Sequence, residues 1–437
     1  MNDRAIEIFR ATIFHTPKNP FQEEQALVDF IDGGLAVAGG RIVRCGDYRD
    51  VAAAFPGAVI HDLRGRYILP GFVDTHVHFP QVRIIGGLGF TLLDWLEQLT
   101  LPEEARLADA RYAATIAAEF VNALAAHGTT TALVFGSHFA PATAALFEAA
   151  AGRGLRVTSG LVMSDRGLLP ALHQSPEAVR RDSCALIQRF HGKERLKYAV
   201  TPRFALSVSE GMMEACQSLL ADHPGTQFTT HINENAQEIR EVARLFPWAK
   251  DYLAVYEKYG FVSRRAVLAH NIHASADELS RLRGQRAAVA HCPSSNAALG
   301  SGFFPMARHV ASGIPFGLGT DVGGGTGFGM MKEALAAYMM QRLAPSPMIL
   351  VPATMLYLAT RAGAEALAMT EETGDFGAGK SADFVILSPP AGGVLEGRLK
   401  RTETPDQMLA ALFTLAGAES VSEVRVGGDP VFQREPA

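Results

Sequence analysis

Two histidines separated by one residue, His76 and His78, lie in the segment GFVDTHVHFP and could bind a metal ion together. In a β-strand, residues two apart point to the same face and lie about 6.6 Å apart, at a rise of about 3.3 Å per residue. Two imidazoles in that arrangement can ligate one divalent ion, with Zn–N bonds of about 2.0–2.1 Å. The turn signal Pro70-Gly71 before the segment, and further His and Asp residues at later strand ends, favour a metal site over two histidines on a half-exposed strand.

Three more candidate metal-site residues end later apolar segments: His231 in QFTTHINE, His270 in AVLAHNIH and Asp321 in PFGLGTD. Three neutral imidazoles and one carboxylate around an ion leave a position for water, which is the open arrangement of a catalytic site. These nitrogen and oxygen ligands fit zinc, with iron(II) or manganese as alternatives. One divalent ion, most simply Zn²⁺, is therefore the expected cofactor, and it would lower the pKa of its water from about 15.7 towards about 7.

A carboxylate near the expected metal suits proton transfer. Glu234 lies three residues beyond His231, where the chain turns, and is predicted to reach back over the ion without binding it. That placement is typical of a proton shuttle. Glu238 and Glu241, farther along, are predicted to lie on a solvated helix face without a role.

The other histidines are expected to be structural or to have no role that the sequence reveals. Surface, turn or helix-terminal positions are predicted for His15, His61, His127, His223 and His309. His291 is expected to pack beside the site or to support it, and His138 and His273 could line its mouth.

Eight short apolar segments alternate with helical ones, which predicts βα units and a parallel sheet. The predicted strands span 72–78, 129–135, 156–163, 196–204, 227–234, 266–273, 287–293 and 315–321. One predicted helix ends at Gly128, and another runs from an N-cap at Ser275 to a stop at Gly284. Polar residues collect at the C-terminal ends of several strands, and this favours a (β/α)8 TIM-type barrel over a doubly wound open sheet.

The two ends of the chain have a different pattern. From Ala5 to about Leu69, and again after about Thr370, short strand-like segments with glycine turns replace the βα alternation. They predict a small antiparallel sheet that joins with C-terminal strands into one composite β-sandwich domain. The predicted division is 1–69 for the N-terminal part of this domain, 70–370 for the metal-dependent barrel and 371–437 for the C-terminal part.

Composition excludes several classes of function. The 437 residues include 45 acidic and 40 basic side chains, a formal net charge of −5, so no basic surface for nucleic acid or an anionic membrane is expected. The N-terminus lacks a signal-peptide pattern, and no apolar run reaches the roughly 18 residues of a membrane span. Four scattered cysteines without a CxxC pair predict reduced thiols: Cys45, Cys184, Cys216 and Cys292. The expected location is the cytoplasm.

Together these segments resemble the amidohydrolase superfamily over nearly the whole chain, from LPGFVDTHVH through HINE, LAHN, AHCPSSN and GLGTD to GKSADFVIL. Within it, HFPQ, the stretch TLLDWLEQLTLPEEARL (91–107) and Pro-Arg-Phe at the end of the fourth strand are similar to the guanine-deaminating branch. The resemblance implies four metal ligands, with His270 close to the metal and its water; the ligands are His76, His78, His231 and Asp321.

A single metal is expected, because binuclear members of the superfamily bridge their ions with a modified lysine at the end of strand 4. Here that strand ends in Thr-Pro-Arg-Phe, and its only lysine, Lys197, lies at the opposite end.

The implied reaction is hydrolysis of guanine to xanthine and ammonia, with a metal-bound hydroxide attacking C2. Asp321, helped by His270, would take a proton from the water, and Glu234 would protonate the ring nitrogen and then the departing amine. His231, Glu234 and Asp321 would therefore also contact the substrate.

Guanine recognition is expected from three further residues. Arg203 matches the O6 and N7 acceptors, Gln81 the polar purine edge, and Phe204 the ring itself. The alternative for Arg203 is a pairing with a nearby carboxylate, with Phe204 in the core.

Two other functions stay open. One is an aminohydrolase for another purine, a pterin, cytosine or a triazine, and the other is a non-catalytic barrel retained as a scaffold. The resemblance also implies a homodimer, with the segment around Trp95 near the mouth of the site or at an interface.

Overall fold

The computed structural model describes residues 5–435, which fold around two sheets. The strands are β1 (Glu7–His15), β2 (Val28–Ala38), β3 (Arg41–Asp47), β4 (Val59–Pro70), β5 (Phe72–His78), β6 (Thr129–Phe135), β7 (Arg156–Gly160), β8 (Val162–Met163), β9 (Leu196–Pro202), β10 (Gln227–Ile232), β11 (Ala266–His270), β12 (Ala288–His291), β13 (Phe316–Leu318), β14 (Phe384–Leu387), β15 (Val421–Val426) and β16 (Asp429–Gln433).

Helices surround the sheets. They are α1 (Tyr48–Ala54), α2 (Leu92–Trp95), α3 (Leu101–Ala105), α4 (Ala110–Ala126), α5 (Ala140–Arg153), α6 (Pro176–Phe190), α7 (Glu210–Asp222), α8 (Ala236–Leu245), α9 (Tyr252–Lys258), α10 (Ala276–Gln285), α11 (Pro293–Ala298), α12 (Met306–Ser312), α13 (Met330–Leu343), α14 (Pro352–Ala359), α15 (Arg361–Ala366), α16 (Val394–Leu399) and α17 (Pro405–Leu415). Leu96–Thr100 forms a π-helical turn, and 3₁₀ turns lie at Phe79–Ile84, Arg106–Ala108, Pro170–Leu172, Ala205–Ser207 and Ala418–Ser420.

Eight parallel strands form a barrel in the order β13-β12-β11-β10-β9-β7-β6-β5, and the short β8 pairs with β9. The circle closes between β5 and the end of β13, where the His78 N–H donates to Val322 O at 3.1 Å and the Asp321 N–H donates to His76 O at 2.8 Å. The predicted (β/α)8 barrel is therefore confirmed. The last five strands end two or three residues before their predicted ends, because the chain there turns towards the site.

The barrel strands are buried along their length, as covered parallel strands must be. All seven residues of β5 and all seven of β6 are buried. A glycine allows two strands to approach closely, since a Cβ at Gly160 would lie 1.8 Å from the carbonyl oxygen of Ala199. Small and branched side chains such as Val73 and Leu133 form a cluster across the strands, and larger ones pack under the helices.

Local capping explains where two predicted helices lie. Asp109 begins α4 by accepting the N–H groups of Arg111 and Tyr112. Ser275 caps α10 in a reciprocal capping box, as predicted. The predicted stop at Gly284 is wrong: α10 continues to Gln285, and Arg286 with φ 57° occupies the left-handed position that ends the helix.

Both chain ends build the second sheet, in the order β16-β15-β14-β4-β1-β2-β3, so the composite domain is confirmed. The expectation that its N-terminal part is antiparallel is wrong for one pair, because β1 pairs with β4 in parallel. The connection through β2, β3 and α1 returns the chain to the end where β1 began. Helices α16 and α17, which the strand-like text did not indicate, separate β14 from β15.

His15 at the end of β1 is only 7% exposed, so its predicted surface position is wrong. The C-terminal segment covers it: the Phe376 ring centroid lies 5.3 Å away, and the Phe376 N–H donates to His15 Nδ1 at 3.4 Å. Burial lowers the pKa of His15 to about 4. His61 is about one-third exposed and pairs with Glu7.

All four cysteines are free thiols, as predicted. Between residues 5 and 435, none of the helices combines the length and the apolar character needed to cross a bilayer.

Candidate metal centre and active site

Four side chains converge at the C-terminal end of the barrel. One ligand atom from each of His76, His78, His231 and Asp321 lies within 4.8 Å of the others, and all four residues are buried. The Nε2 atom of His78 lies 3.1 Å from His76 Nε2 and 3.3 Å from His231 Nε2. Asp321 Oδ1 lies 3.3 Å from His76 Nε2 and 3.2 Å from His78 Nε2.

Strand ends place these residues. The two histidines of β5 lie beside β13, after which Asp321 adopts φ 47°, a left-handed backbone that carries its side chain back towards them. Asp74 stabilises this corner, because its carboxylate accepts the N–H groups of His76 and Thr320, each at 3.1 Å, and the Thr320 hydroxyl at 2.5 Å. Its position two residues before His76 was the sequence signal for this support.

The protonation states suit a divalent cation. Burial lowers the pKa of His76, lowers that of His78 to about 4 and lowers that of His231 well below the usual value. Burial opposes ionisation of Asp321, but His76 and His78 outweigh it and hold the pKa of that carboxyl well below its usual range. Neutral imidazoles and a carboxylate are the forms that ligate metals.

Hydrogen bonds orient the rings. His231 Nδ1 lies 2.7 Å from the carbonyl oxygen of Arg203, which only accepts, so Nδ1 carries the proton and the Nε2 lone pair faces the other ligands. His270 Nδ1 lies 2.9 Å from Asn296 Oδ1. Its Nε2 is 3.8 Å from Asp321 Oδ2 and has no hydrogen-bond partner within 5–435, which fits a position beside a metal-bound water.

A second combination of four residues replaces two of these ligands with His270 and Cys292. Burial raises the pKa of the Cys292 thiol well above its usual value, so the thiol is neutral and a poor ligand. The arrangement with three histidines and Asp321 is therefore the better metal site.

Glu234 lies beside this centre without joining the four ligands. Its Oε1 accepts a hydrogen bond from the Ser301 hydroxyl at 3.2 Å, and its Oε2 lies 3.4 Å from His270 Nε2. Burial, together with the charge of Asp321, raises the pKa of Glu234 to about 8. The carboxyl can therefore hold a proton near neutral pH.

Glu238 is fully buried, so its predicted place on a solvated helix face is wrong. Its Oε2 accepts the N–H groups of Glu234 at 3.1 Å and Asn235 at 3.2 Å, and its Oε1 accepts the Tyr252 hydroxyl at 2.6 Å. The packing of α9 against this face buries it. Glu241 pairs with Arg244 on the exposed face, as predicted.

Three of the candidate ligands, His78, His231 and Asp321, line one cavity of about 30 Å³ together with Glu234. Its walls are formed by His78, Gln81, Leu92, Trp95, Leu96, Arg203, Phe204, His231, Glu234, His270, Leu299 and Asp321. Leu92, Trp95 and Leu96 form one apolar wall of this cavity, called the cover below.

The predicted recognition residues Arg203 and Gln81 meet at a further buried carboxylate, Glu104. Arg203 Nη1 donates to both oxygens of Glu104, at 2.8 and 2.7 Å, so the alternative pairing weighed for Arg203 is present. Gln81 Nε2 also donates to Glu104, at 2.8 Å. The 91–107 segment was a sequence signal for this region, but nothing in it distinguished Glu104 from its neighbours.

The remaining predicted residues lie around this centre. Phe204 is buried, and its ring centroid lies 6.3 Å from that of His231. His138 Nδ1 lies 3.5 Å from Glu104 Oε2, and His273 Nε2 lies 2.9 Å from the Ser301 carbonyl oxygen. His291 is fully buried and stacks on Phe304 with centroids 4.2 Å apart, an arrangement typical of packing.

Comparisons with known proteins extend over almost the whole chain. A model of the amidohydrolase family matches residues 67–431. The chain is 55% identical over 436 residues to a probable guanine deaminase of Deinococcus radiodurans, which covers 98% of this chain and 99% of that protein. It is 37% identical over 423 residues to the guanine deaminase of Escherichia coli strain K12, with 97% and 96% covered. The solved structure of E. coli guanine deaminase matches with a TM-score of 0.95 at 36% identity and covers 98% of this chain and 100% of that one.

Proposed function

The chain belongs to the amidohydrolase family, and from that membership we propose that it is a guanine deaminase, a hydrolase that converts guanine to xanthine and ammonia. The observation that carries the proposal is one cavity lined by three of the four converging ligands, by the buried acid Glu234, and by donors on Arg203 and Gln81. The named relatives support the choice of guanine, since the match spans nearly the full length of both chains.

His76, His78, His231 and Asp321 would hold one divalent ion, for which we propose zinc, and the ion would supply a water molecule of lowered pKa as nucleophile. The fit rests on the three neutral imidazoles, the carboxylate and the orientation of the His231 ring.

The residues around the centre would move the protons. Asp321, with His270 3.8 Å away, takes a proton from the attacking water as a C2–O bond forms. Glu234, whose pKa burial raises to about 8, donates a proton to the ring nitrogen beside C2. Glu234 is left ionised, takes the remaining water proton from the hydroxyl now on C2 and passes it to the amine as the C2–N bond breaks. The proton held by Asp321 then returns to Glu234, so that water and guanine yield xanthine and ammonia.

Recognition of guanine would use donors. Arg203 Nη1 is engaged with Glu104, which leaves the rest of the guanidinium to face O6 and N7. Gln81 has one further amide N–H for an acceptor on the purine edge. Phe204 would lie against the ring.

A homodimer, a cytoplasmic location and the domain division at 1–69, 70–370 and 371–437 complete the proposal. Free cysteines support a reducing compartment. Met339 and Leu343 lie four residues apart on α13 with 52% and 76% of their surface exposed, and they support an interface between copies. Light scattering of the purified protein is expected to give twice the chain mass; the mass of one chain would contradict the dimer.

Ammonia release by zinc-loaded protein tests the function. Guanine is compared with adenine, cytosine, a pterin and a triazine at equal concentration. We expect kcat/KM for guanine to exceed that for every other ring by at least a hundredfold. Preference for another ring would be consistent with the metal-dependent hydrolysis but would contradict the proposed recognition of guanine. If metal-loaded protein releases ammonia from none of the rings, the protein is not a deaminase of this kind.

A further inference from the structure

One carboxylate joins the two recognition side chains. Glu104 is 2% exposed, and its oxygens accept from Arg203 Nη1 and Gln81 Nε2 at 2.7–2.8 Å. His138 Nδ1 lies 3.5 Å away. A buried carboxylate accepts hydrogen bonds and donates none when ionised, so each neighbour must present a donor to it.

The ionised form is the stable one here. Burial opposes ionisation of Glu104, but the charge of Arg203 outweighs burial and holds the pKa of the carboxyl below its usual value. The paired guanidinium is held by two short contacts, which restrict its rotation.

The orientation of the Gln81 amide is fixed at both ends. Its Oε1 accepts the Gly323 N–H at 3.0 Å, and its Nε2 donates to Glu104 at 2.8 Å. A backbone N–H can only donate, and the carboxylate can only accept. Turning the amide over would therefore place two donors together at Gly323 and two acceptors together at Glu104. The N–H that remains on Gln81 is a donor for the cavity.

Glu104 also lies on α3, directly after the cover residues Trp95 and Leu96. Its hydrogen bonds join that covering segment to Arg203 at the end of β9 and to Gln81 after β5.

We propose that Glu104 is a positioning residue that makes Gln81 and Arg203 face the purine as donors, so that the site selects rings with an acceptor at position 6. This inference rests on the proposed function and deepens it. No bond to the substrate is assigned to Glu104 itself.

The test is Glu104→Gln, whose amide would oppose a donor on Arg203 or Gln81. We expect KM for guanine to rise at least tenfold while kcat stays within threefold. Competitive inhibition is then measured with xanthine and with 2-hydroxypurine, which lacks the oxygen at position 6. The comparison distinguishes loss of donor alignment from a general disruption of the cavity. The inhibition constant for xanthine is expected to rise at least tenfold, and that for 2-hydroxypurine less than threefold.

Glu103→Gln is the matched control. Glu103 lies on the same helix and is 7% exposed, but it contacts Arg106 and Tyr112 outside the cavity. The KM and kcat of Glu103→Gln for guanine and its two inhibition constants should equal those of the parent. Glu104→Asp keeps the charge and should recover part of the lost xanthine affinity. If the Gln variant does not fold, the Asp variant alone decides: an intermediate rise in its inhibition constant for xanthine supports the proposal. Inhibition constants equal to those of the parent overturn it.

The outcomes separate the two proposals. A parent with no guanine turnover overturns both the function and the role of Glu104. Suppose instead that the parent is active and that Glu104→Gln folds and binds metal. If its two inhibition constants then change equally or not at all, only the role of Glu104 is overturned.

Discussion

At the scale of single residues, the side chains around the candidate metal centre differ in how well the sequence predicts their positions. His76 and His78 were predictable because a strand repeats every two residues, and Asp321 because it follows the last barrel strand at the C-terminal end of the barrel. Glu104 and Glu238 were not, because their partners Arg203 and Tyr252 come from distant segments or another helix. A buried charged residue has the same sequence signature as an exposed one until its partner is known.

Replacement of Glu234 by Gln tests the proton shuttle. The amide preserves shape but cannot exchange the proton, so we expect kcat for guanine to fall about 10³-fold, within the range typical of general acid–base catalysis. Bound zinc, measured by elemental analysis, should equal that of the parent because Glu234 is not among the four ligands.

Glu241→Gln is the control for this change. Glu241 lies on the exposed face of α8 with Arg244, so its variant should turn over guanine at the parental rate. A Glu234→Gln enzyme within tenfold of the parent would reject the shuttle.

At the scale of elements, barrel strands were predictable from short apolar segments, but their ends were not. His270, Asn271 and Asp321 adopt left-handed backbone conformations at or just after the ends of barrel strands, so the chain leaves the strand direction there. These conformations depend on tertiary contacts across the barrel mouth. The parallel pairing of β1 with β4 was missed for a related reason, since strand direction is set by the connection and not by alternation within a strand.

Gly160→Ala tests close packing in the barrel wall. The added Cβ would meet the Ala199 carbonyl oxygen at 1.8 Å, so β7 and β9 must separate. We expect a loss of at least about 3 kcal/mol in the free energy of unfolding, the upper part of the usual cost of overpacking.

Gly152→Ala is the matched control, because beyond its chain neighbours and the nearby backbone of its own helix its added Cβ would meet no atom within 4 Å. Gly152 is an exposed residue of α5, and alanine there should raise stability by about 0.5–1 kcal/mol. Urea unfolding of both variants gives the comparison; equal stabilities would contradict the packing described for Gly160.

At the scale of the molecule, the composite sheet ties the two chain ends to the barrel. Strand β14, from the C-terminal part, pairs with β4, which leads directly into β5, the strand that carries His76 and His78. Arg156 of the barrel donates to Glu372 at 2.7 Å and Asp383 at 3.3 Å. That both ends share one domain was predictable from their common strand pattern, whereas burial of His15 by the distant Phe376 was not.

The junction at His15 should make stability depend on pH. The pKa of His15 is lowered to about 4 in the folded protein, from about 6.5 when unfolded, so the folded state holds the ring neutral. The contribution of the neutral His15 ring to the free energy of unfolding is full above pH 6.5 and is lost as pH falls towards 4. At pH 5 the loss amounts to about 2 kcal/mol.

His15→Gln removes this titration and keeps an acceptor for the Phe376 N–H. The stability difference between parent and variant should therefore shift by about 2 kcal/mol in favour of the variant between pH 7 and pH 5. Urea unfolding at both values measures it, with His61→Gln on the same sheet as the control. A difference that does not change with pH would contradict the buried neutral histidine.

A zinc titration of metal-free protein, with bound metal and guanine deamination measured in the same samples, tests the single catalytic metal most directly. We expect activity to rise linearly and to saturate at one zinc per chain, and we expect Asp321→Asn neither to bind the ion tightly nor to deaminate guanine. Full guanine deamination by metal-free protein, or saturation only at two ions per chain, would contradict a single catalytic metal.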